Sequence, residues 1–266
     1  MRDPRPTFTR NPLGGFMMSC PKFPEEWTSH IAKKAYQHAQ DVYPHEAAGI
    51  ANDNGEYIPL ENMSDMPDKD VSLNDADLLK VAEATVFFHS HPDGPACPSF
   101  TDMVYQQQLE IPFVILPLPL GDPFVFAAEG LEKAPLIGRA FRHGVHDCYS
   151  LIRDRYLEKG ISFPDQPRGW EWWNKGMDYY NMKNFTDYGM RVIDKDKARQ
   201  EDDILLFQFG FSVIMHGAIV CKDPNLIMHH TSGSKPFDTT RVSSMVPRLR
   251  WQRHVKLALR HESNVT

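Results

Sequence analysis

Cysteine is scarce in this chain: four in 266 residues (Cys20, Cys97, Cys148, Cys221), scattered, with no CxxC pair. That argues against a disulfide framework and points to a reduced compartment, with room for one reactive thiol. Long apolar runs are missing too. The most apolar stretch, residues 111–120, is broken by Pro112, Pro117 and Pro119, too short and interrupted to span a bilayer. Arg2, Asp3, Pro4 and Pro6 stand where a signal peptide would carry its apolar segment, so no secretory signal and no membrane insertion are expected. Positive charge is not in excess: the net charge of −6 argues against a general nucleic-acid binder. There is no internal repeat and little low complexity, and 41% hydrophobic residues exclude a disordered chain. The length suits one large or two modest domains, at a prior of about 150 residues each.

What is present is a mixed pattern. Residues 1–20, with Pro4, Pro6, Pro12, Gly14 and Gly15, show no period and read as an extended arm. Trp27, Ile31, Ala35, Ala39 and Val42 recur at helical spacing and predict a helix that ends at Tyr43-Pro44. Asn54-Gly55 predicts a hairpin turn between short strands near 49–52 and 57–60. Asn74 is placed to cap a second helix carrying Leu78, Leu79 and Ala82. Short strands follow at 86–88, 113–116 and 124–127. The pattern lapses near 129–135, where a domain boundary is expected. The second half opens with a helix over 148–158, stopped by Gly160. A Trp- and Tyr-rich loop (Trp170, Trp172, Trp173, Tyr179, Tyr180) comes next, read as core packing before sugar binding. Strands near 204–208, 213–220, 226–229 and 254–259 complete an α+β pattern.

Two constellations carry chemistry. In the first, residues two apart on a strand share a face, so His89 and His91 present two imidazoles to one point. Pro92, Gly94, Pro95 and Pro98 turn the chain so that Asp102 returns to them. Two His and one carboxylate form a zinc ligand set with an open fourth position. Ser99 is a candidate oxyanion donor and Glu46 a candidate base. A lone HxH is often two surface histidines, but here seven residues separate His91 from Ser99 and two separate Ser99 from Asp102. With Tyr43-Pro44-His45-Glu46-Ala47-Ala48-Gly49, this string resembles the JAMM (MPN-type) metalloproteases over residues 21–130. The resemblance implies an α/β/α domain with His89, His91 and Asp102 as zinc ligands, Glu46 as base and Ser99 as oxyanion stabiliser. Cys97 inside the loop reads as a small apolar residue.

The second is Cys148, His216 and His229. Cys148 begins the second-domain helix behind Asp147, where the helix N-terminus favours thiolate over thiol. His216 sits in an apolar strand and must face a partner or a cavity. A third polar group should orient its ring; His229 is placed for this on the next strand, with His230 the alternate. A buried Cys is usually inert, and a strand histidine usually packs. The order helix-Cys, strand-His, next-strand-His nevertheless resembles the NlpC-type branch of papain-like cell-wall endopeptidases, over residues 138–262. Glu201-Asp202-Asp203-Ile204 departs from that family's usual Gly-Asp. His143 and His146 flank Cys148, where they could line its cleft, and read as loop residues.

A JAMM-like module followed by an NlpC-like one resembles the lambda K type of phage tail tip assembly protein. That resemblance implies a hydrolase expressed in the host cytoplasm and then carried to the bacterial cell wall. Its implied partners are peptidoglycan stem peptides and other tail tip proteins, with no nucleic acid. The alternative is a structural or chaperone-like assembly factor with vestigial sites.

Overall fold

The computed structural model describes residues 9–10, 16–17, 25–119, 121–127 and 134–264; residues 9–10, 16–17, 25–29, 182 and 184 are described by backbone alone. The expected arm lies outside the described residues except for two short antiparallel strands, β1 (Thr9–Arg10) and β2 (Phe16–Met17). Most of the expected boundary segment lies outside them too. The chain divides into two compact units, Met1–Glu132 and Lys133–Thr266.

In the first unit, helix α1 (Glu25–Val42) precedes β3 (Ala48–Ala51) and β4 (Tyr57–Leu60). Helix α2 (Asp75–Ala82), β5 (Val86–Pro92), α3 (Phe100–Leu109), β6 (Phe113–Leu118) and β7 (Phe124–Phe126) follow. The sheet order is β4-β3-β5-β6-β7. Only β5 and β6 pair in parallel, and α3 makes the crossover between them, as a parallel pair requires. Ile31, Ala35 and Ala39 of α1 pack on Val86 and Phe88 of β5. Strand alternation therefore turns Phe87, His89 and His91 to the other side. Helix α2 differs from the expectation. Asn74 does cap it, but Asp77 and Val81 are its buried residues, while Leu78 and Leu79 are exposed. The buried stripe follows the i, i+4 pair rather than the adjacent leucines.

In the second unit come β8 (Ala140–Arg142), α4 (Cys148–Glu158), α5 (Met182–Thr186), β9 (Met190–Ile193) and β10 (Ile204–Phe207). The remaining strands are β11 (His216–Val220), β12 (Leu226–His229), β13 (Phe237–Val242), β14 (Ser244–Pro247) and β15 (Val255–His261). Six strands form an antiparallel sheet in the order β14-β12-β11-β10-β15-β9, and β13 pairs with β8 apart from it. Leu151, Ile152 and Tyr156 of α4 share a core with Leu206, Ile219 and Leu259. Gly217 permits the approach of α4 to β11: a Cβ there would lie 2.6 Å from Ile152 Cδ1. Strand β11 begins at His216, so residues 213–215 of the expected strand lead into it.

Candidate functional site

The imidazole–carboxylate cluster is assembled by β5 and the first turn of α3. Ser99 caps α3 by accepting the Asp102 N–H at 3.1 Å, and the Asp102 carboxylate accepts the Ser99 N–H at 2.7 Å. This reciprocal cap fixes the Asp102 side chain. Its Oδ1 lies 3.2 Å from His89 Nε2 and its Oδ2 3.4 Å from His91 Nε2. The two Nε2 atoms are 3.0 Å apart, and all three ligand atoms fall within 4.8 Å of one another. His91 Nδ1 lies 3.0 Å from the Pro95 carbonyl, which fixes the orientation of the ring. His89 Nδ1 is buried without a hydrogen-bond partner.

Electrostatics follow this geometry. Burial works against both charges, but the two imidazoles hold Asp102 well below the usual carboxylate range. Burial would lower His91, yet Asp102, Glu46 and the Pro95 carbonyl together raise it. Glu46 is buried, and desolvation raises its carboxyl against the pull of His89 and His91. Its backbone is anchored twice: the N–H donates to the Pro67 carbonyl at 2.6 Å, and the carbonyl accepts from Asn62 Nδ2 at 3.0 Å. Asn62 also donates to the Asp70 carbonyl at 2.9 Å and accepts the Ser64 and Ser72 N–H groups. It thereby folds the loop over 63–72 beside the cluster. A cavity of about 130 Å³ opens there, with Asp70, Leu73, Leu78 and Tyr105 on its wall beside His89 and Asp102. All five expected residues are thus gathered in one neighbourhood. Asn62 escaped sequence reasoning, because its role is a set of backbone contacts with no side-chain motif.

The second cluster centres on the start of α4. Asp147 is the N-cap, accepting the Ser150 N–H at 2.9 Å and the Gly144 N–H at 2.9 Å. Cys148 is the first helical residue, and its Sγ lies 3.1 Å from the Tyr180 hydroxyl. Cys148 and His216 both line a cavity of about 260 Å³, walled by Trp172, Trp173, Tyr179 and Trp251. Behind His216, its Nε2 lies 3.3 Å from His229 Nδ1. The register pairs Ala218 with His229, which puts His216 and His229 on one face of the sheet. His230, just past β12, also lines this cavity, with Nε2 3.3 Å from the Arg241 carbonyl. Trp251 packs on His229 with ring centroids 4.6 Å apart.

His143, in the turn before α4, is buried, contacts the Arg168 carbonyl at 3.0 Å and lines the cavity beside Cys148. One expectation changes here: the helix N-terminus does not leave a resting thiolate. Burial, reinforced by the Asp147 charge, pushes the Cys148 thiol up to about 11 against the Tyr180 hydroxyl and the Gly217 N–H. Burial lowers His216 to about 3 and His229 to about 4, with neighbouring histidines adding to both shifts. At neutral pH the pair rests as thiol and neutral imidazole.

Residues 28–128 match the family model for prokaryotic homologs of the JAB domain, so the first unit carries a JAB-like domain. The chain is 36% identical over 147 residues to the tail tip assembly protein K of Escherichia phage lambda, covering 55% of this chain and 70% of that protein. It is 27% identical over 204 residues to tail tip assembly protein K of Escherichia phage N15, covering 74% of this chain and 82% of that protein. The chain belongs to the phage tail tip assembly protein K family. A solution structure of a Desulfitobacterium hafniense protein aligns at a TM-score of 0.30 and 22% identity, over 40% of this chain and 86% of that one. Among the described residues, no helix is long and apolar enough to cross a membrane.

Proposed function

We propose that this tail tip protein is a two-module hydrolase of JAMM-like and NlpC-like type, whose second unit cleaves peptide bonds in bacterial peptidoglycan. The observation that carries the reading is Cys148, at a capped helix start, opening on the same cavity as His216, with His229 Nδ1 3.3 Å behind His216 Nε2. His216 is neutral at rest, so its ring keeps a lone pair that can accept a proton. As Cys148 Sγ bonds to the substrate carbonyl carbon, His216 takes the Sγ–H proton and His229 holds the imidazolium. The carbonyl oxygen becomes the oxyanion, facing N–H groups at the start of α4. His216 then returns the proton to the departing amine as the C–N bond breaks. Water, deprotonated by His216, hydrolyses the thioester and frees Cys148.

In the first unit, His89, His91 and Asp102 would hold a zinc ion: two imidazoles and a carboxylate, close together and with His91 braced by Pro95, fit zinc with a position left open. Bound there, the ion supplies Lewis-acid activation of water and of a carbonyl. Glu46, its carboxyl raised by burial, accepts and passes on a proton. Ser99 Oγ accepts the Asp102 N–H and keeps its own hydrogen to donate to an oxyanion. The substrate class is a peptide or isopeptide bond, in a muropeptide crosslink or a tail protein.

The second reading is an assembly factor with resting sites. It is favoured by the high thiol and the Tyr180 hydroxyl seated on the sulfur. Incubation with purified peptidoglycan separates the two: the hydrolase releases new amine ends and Cys148→Ala abolishes the release. Unchanged release from Cys148→Ala removes Cys148 as nucleophile, and no release from the unaltered protein favours the assembly factor.

A further inference from the structure

Resting on the reading of Cys148 as nucleophile, we propose that Arg168 is a positioning residue for it. Its guanidinium clamps the Asp147 cap and cancels that carboxylate's charge beside the sulfur.

Arg168 is 1% exposed, extreme for a residue type almost never fully buried without a partner. It forks onto Asp147, Nε to Oδ2 at 2.7 Å and Nη2 to Oδ1 at 2.9 Å. The same group donates to the Gly144 carbonyl at 3.0 Å and to Asp165 Oδ1 at 3.0 Å, and lies over the Tyr149 ring at 4.8 Å. Such a two-pronged contact fixes both distance and orientation, which a lysine cannot do.

The clamp has an electrostatic consequence. Asp147 immediately precedes Cys148, and its negative charge opposes ionisation of the sulfur. Facing the sulfur are also the Tyr180 hydroxyl, the Gly217 N–H, and the His216, His143 and His230 rings around the cavity. Those rings are neutral at pH 7, because burial lowers each of them. Arg168 is therefore the one resident cation among the residues lining this cavity. Asp147 caps the helix and Arg168 offsets the charge that the cap brings.

The test is a charge cycle read by iodoacetamide alkylation of the full chain at pH 8, with the Cys148 adduct followed by peptide mass spectrometry. Arg168→Met leaves Asp147 unopposed and slows alkylation, by about tenfold for one pKa unit. Asp147→Asn keeps a capping side chain, removes the charge next to the sulfur while Arg168 retains only Asp165 as its carboxylate partner, and speeds alkylation. The double variant returns to within about threefold of the unaltered protein, because both charges are gone. A merely structural clamp gives a different pattern: loosening either side exposes the sulfur and speeds both single variants. That pattern, or rates within twofold throughout, overturns the proposal. Should Arg168→Met fail to fold, Arg168→Gln, which removes the charge and keeps hydrogen-bond donors, and Asp147→Asn carry the same opposition in sign, slower and faster respectively. Alkylation needs no substrate, so a protein inactive on peptidoglycan would sink the proposed reaction while leaving this cycle readable.

Discussion

Raising the pH is the simplest perturbation of the thiol site. With the Cys148 thiol at about 11, the thiolate fraction at pH 7 is roughly 10⁻⁴, against about 3% for an ordinary cysteine near 8.5. Reactivity toward a small electrophile follows the thiolate. Cys148 should therefore alkylate about two orders of magnitude more slowly than a free thiol at pH 7. Its rate should climb about tenfold per pH unit up to at least pH 10. His216, lowered to about 3 by burial, gives no inflection between pH 5 and 8. Iodoacetamide labelling across pH 5–10, resolved by mass spectrometry to separate Cys148 from Cys20, Cys97 and Cys221, reads this directly. A pH-independent plateau between pH 5 and 8 would mean a preformed thiolate–imidazolium pair, and would refute both the neutral resting state and the general-base role given to His216.

Two further predictions concern stability. Burial lowers His216, His229 and His230 to between about 3 and about 4, below the unfolded value near 6.5. The unfolded chain thus binds more protons below pH 6.5, and the second unit should lose stability steadily as pH falls from 6.5 toward 4. Urea midpoints followed by tryptophan fluorescence that stay level over that range would contradict this. Asp154 is buried between Arg139, at 2.6 Å, and Arg153, at 2.9 Å. Asp154→Asn strands buried guanidinium charge and should cost about 3–5 kcal/mol, a fall in urea midpoint of roughly 1.5–2.5 M at a slope of about 2 kcal/mol/M; a fall below about 0.5 M would show the arginines to be solvated.

The parts legible in the sequence were those with local signals. Strand alternation placed His89 and His91 on one face, the Asp147 cap set the start of α4, and the β11–β12 pairing brought His229 to His216. Helix α3 was hidden because its start signal, Ser99-x-x-Asp102, also reads as part of a ligand set; the Asp102 side chain both caps α3 and lies against His89 and His91. Strands β8, β9 and β14 have only three or four residues, and β13 is mostly exposed, so none carries a buried apolar period. Arg168 and Tyr180 lay beyond local reasoning, since each meets the α4 start from a loop with no period, 20 or more residues away. The thiol's resting state was misjudged because the helix end is visible in sequence, whereas complete burial is a tertiary property.

The central claim is most directly tested by mass spectrometry of muropeptides after digestion with the unaltered protein, Cys148→Ala and Asp102→Asn. Two independent hydrolytic sites predict stem-peptide cleavage products that vanish with Cys148→Ala and persist with Asp102→Asn. A Cys148→Ala digest identical to that of the unaltered protein would contradict the account.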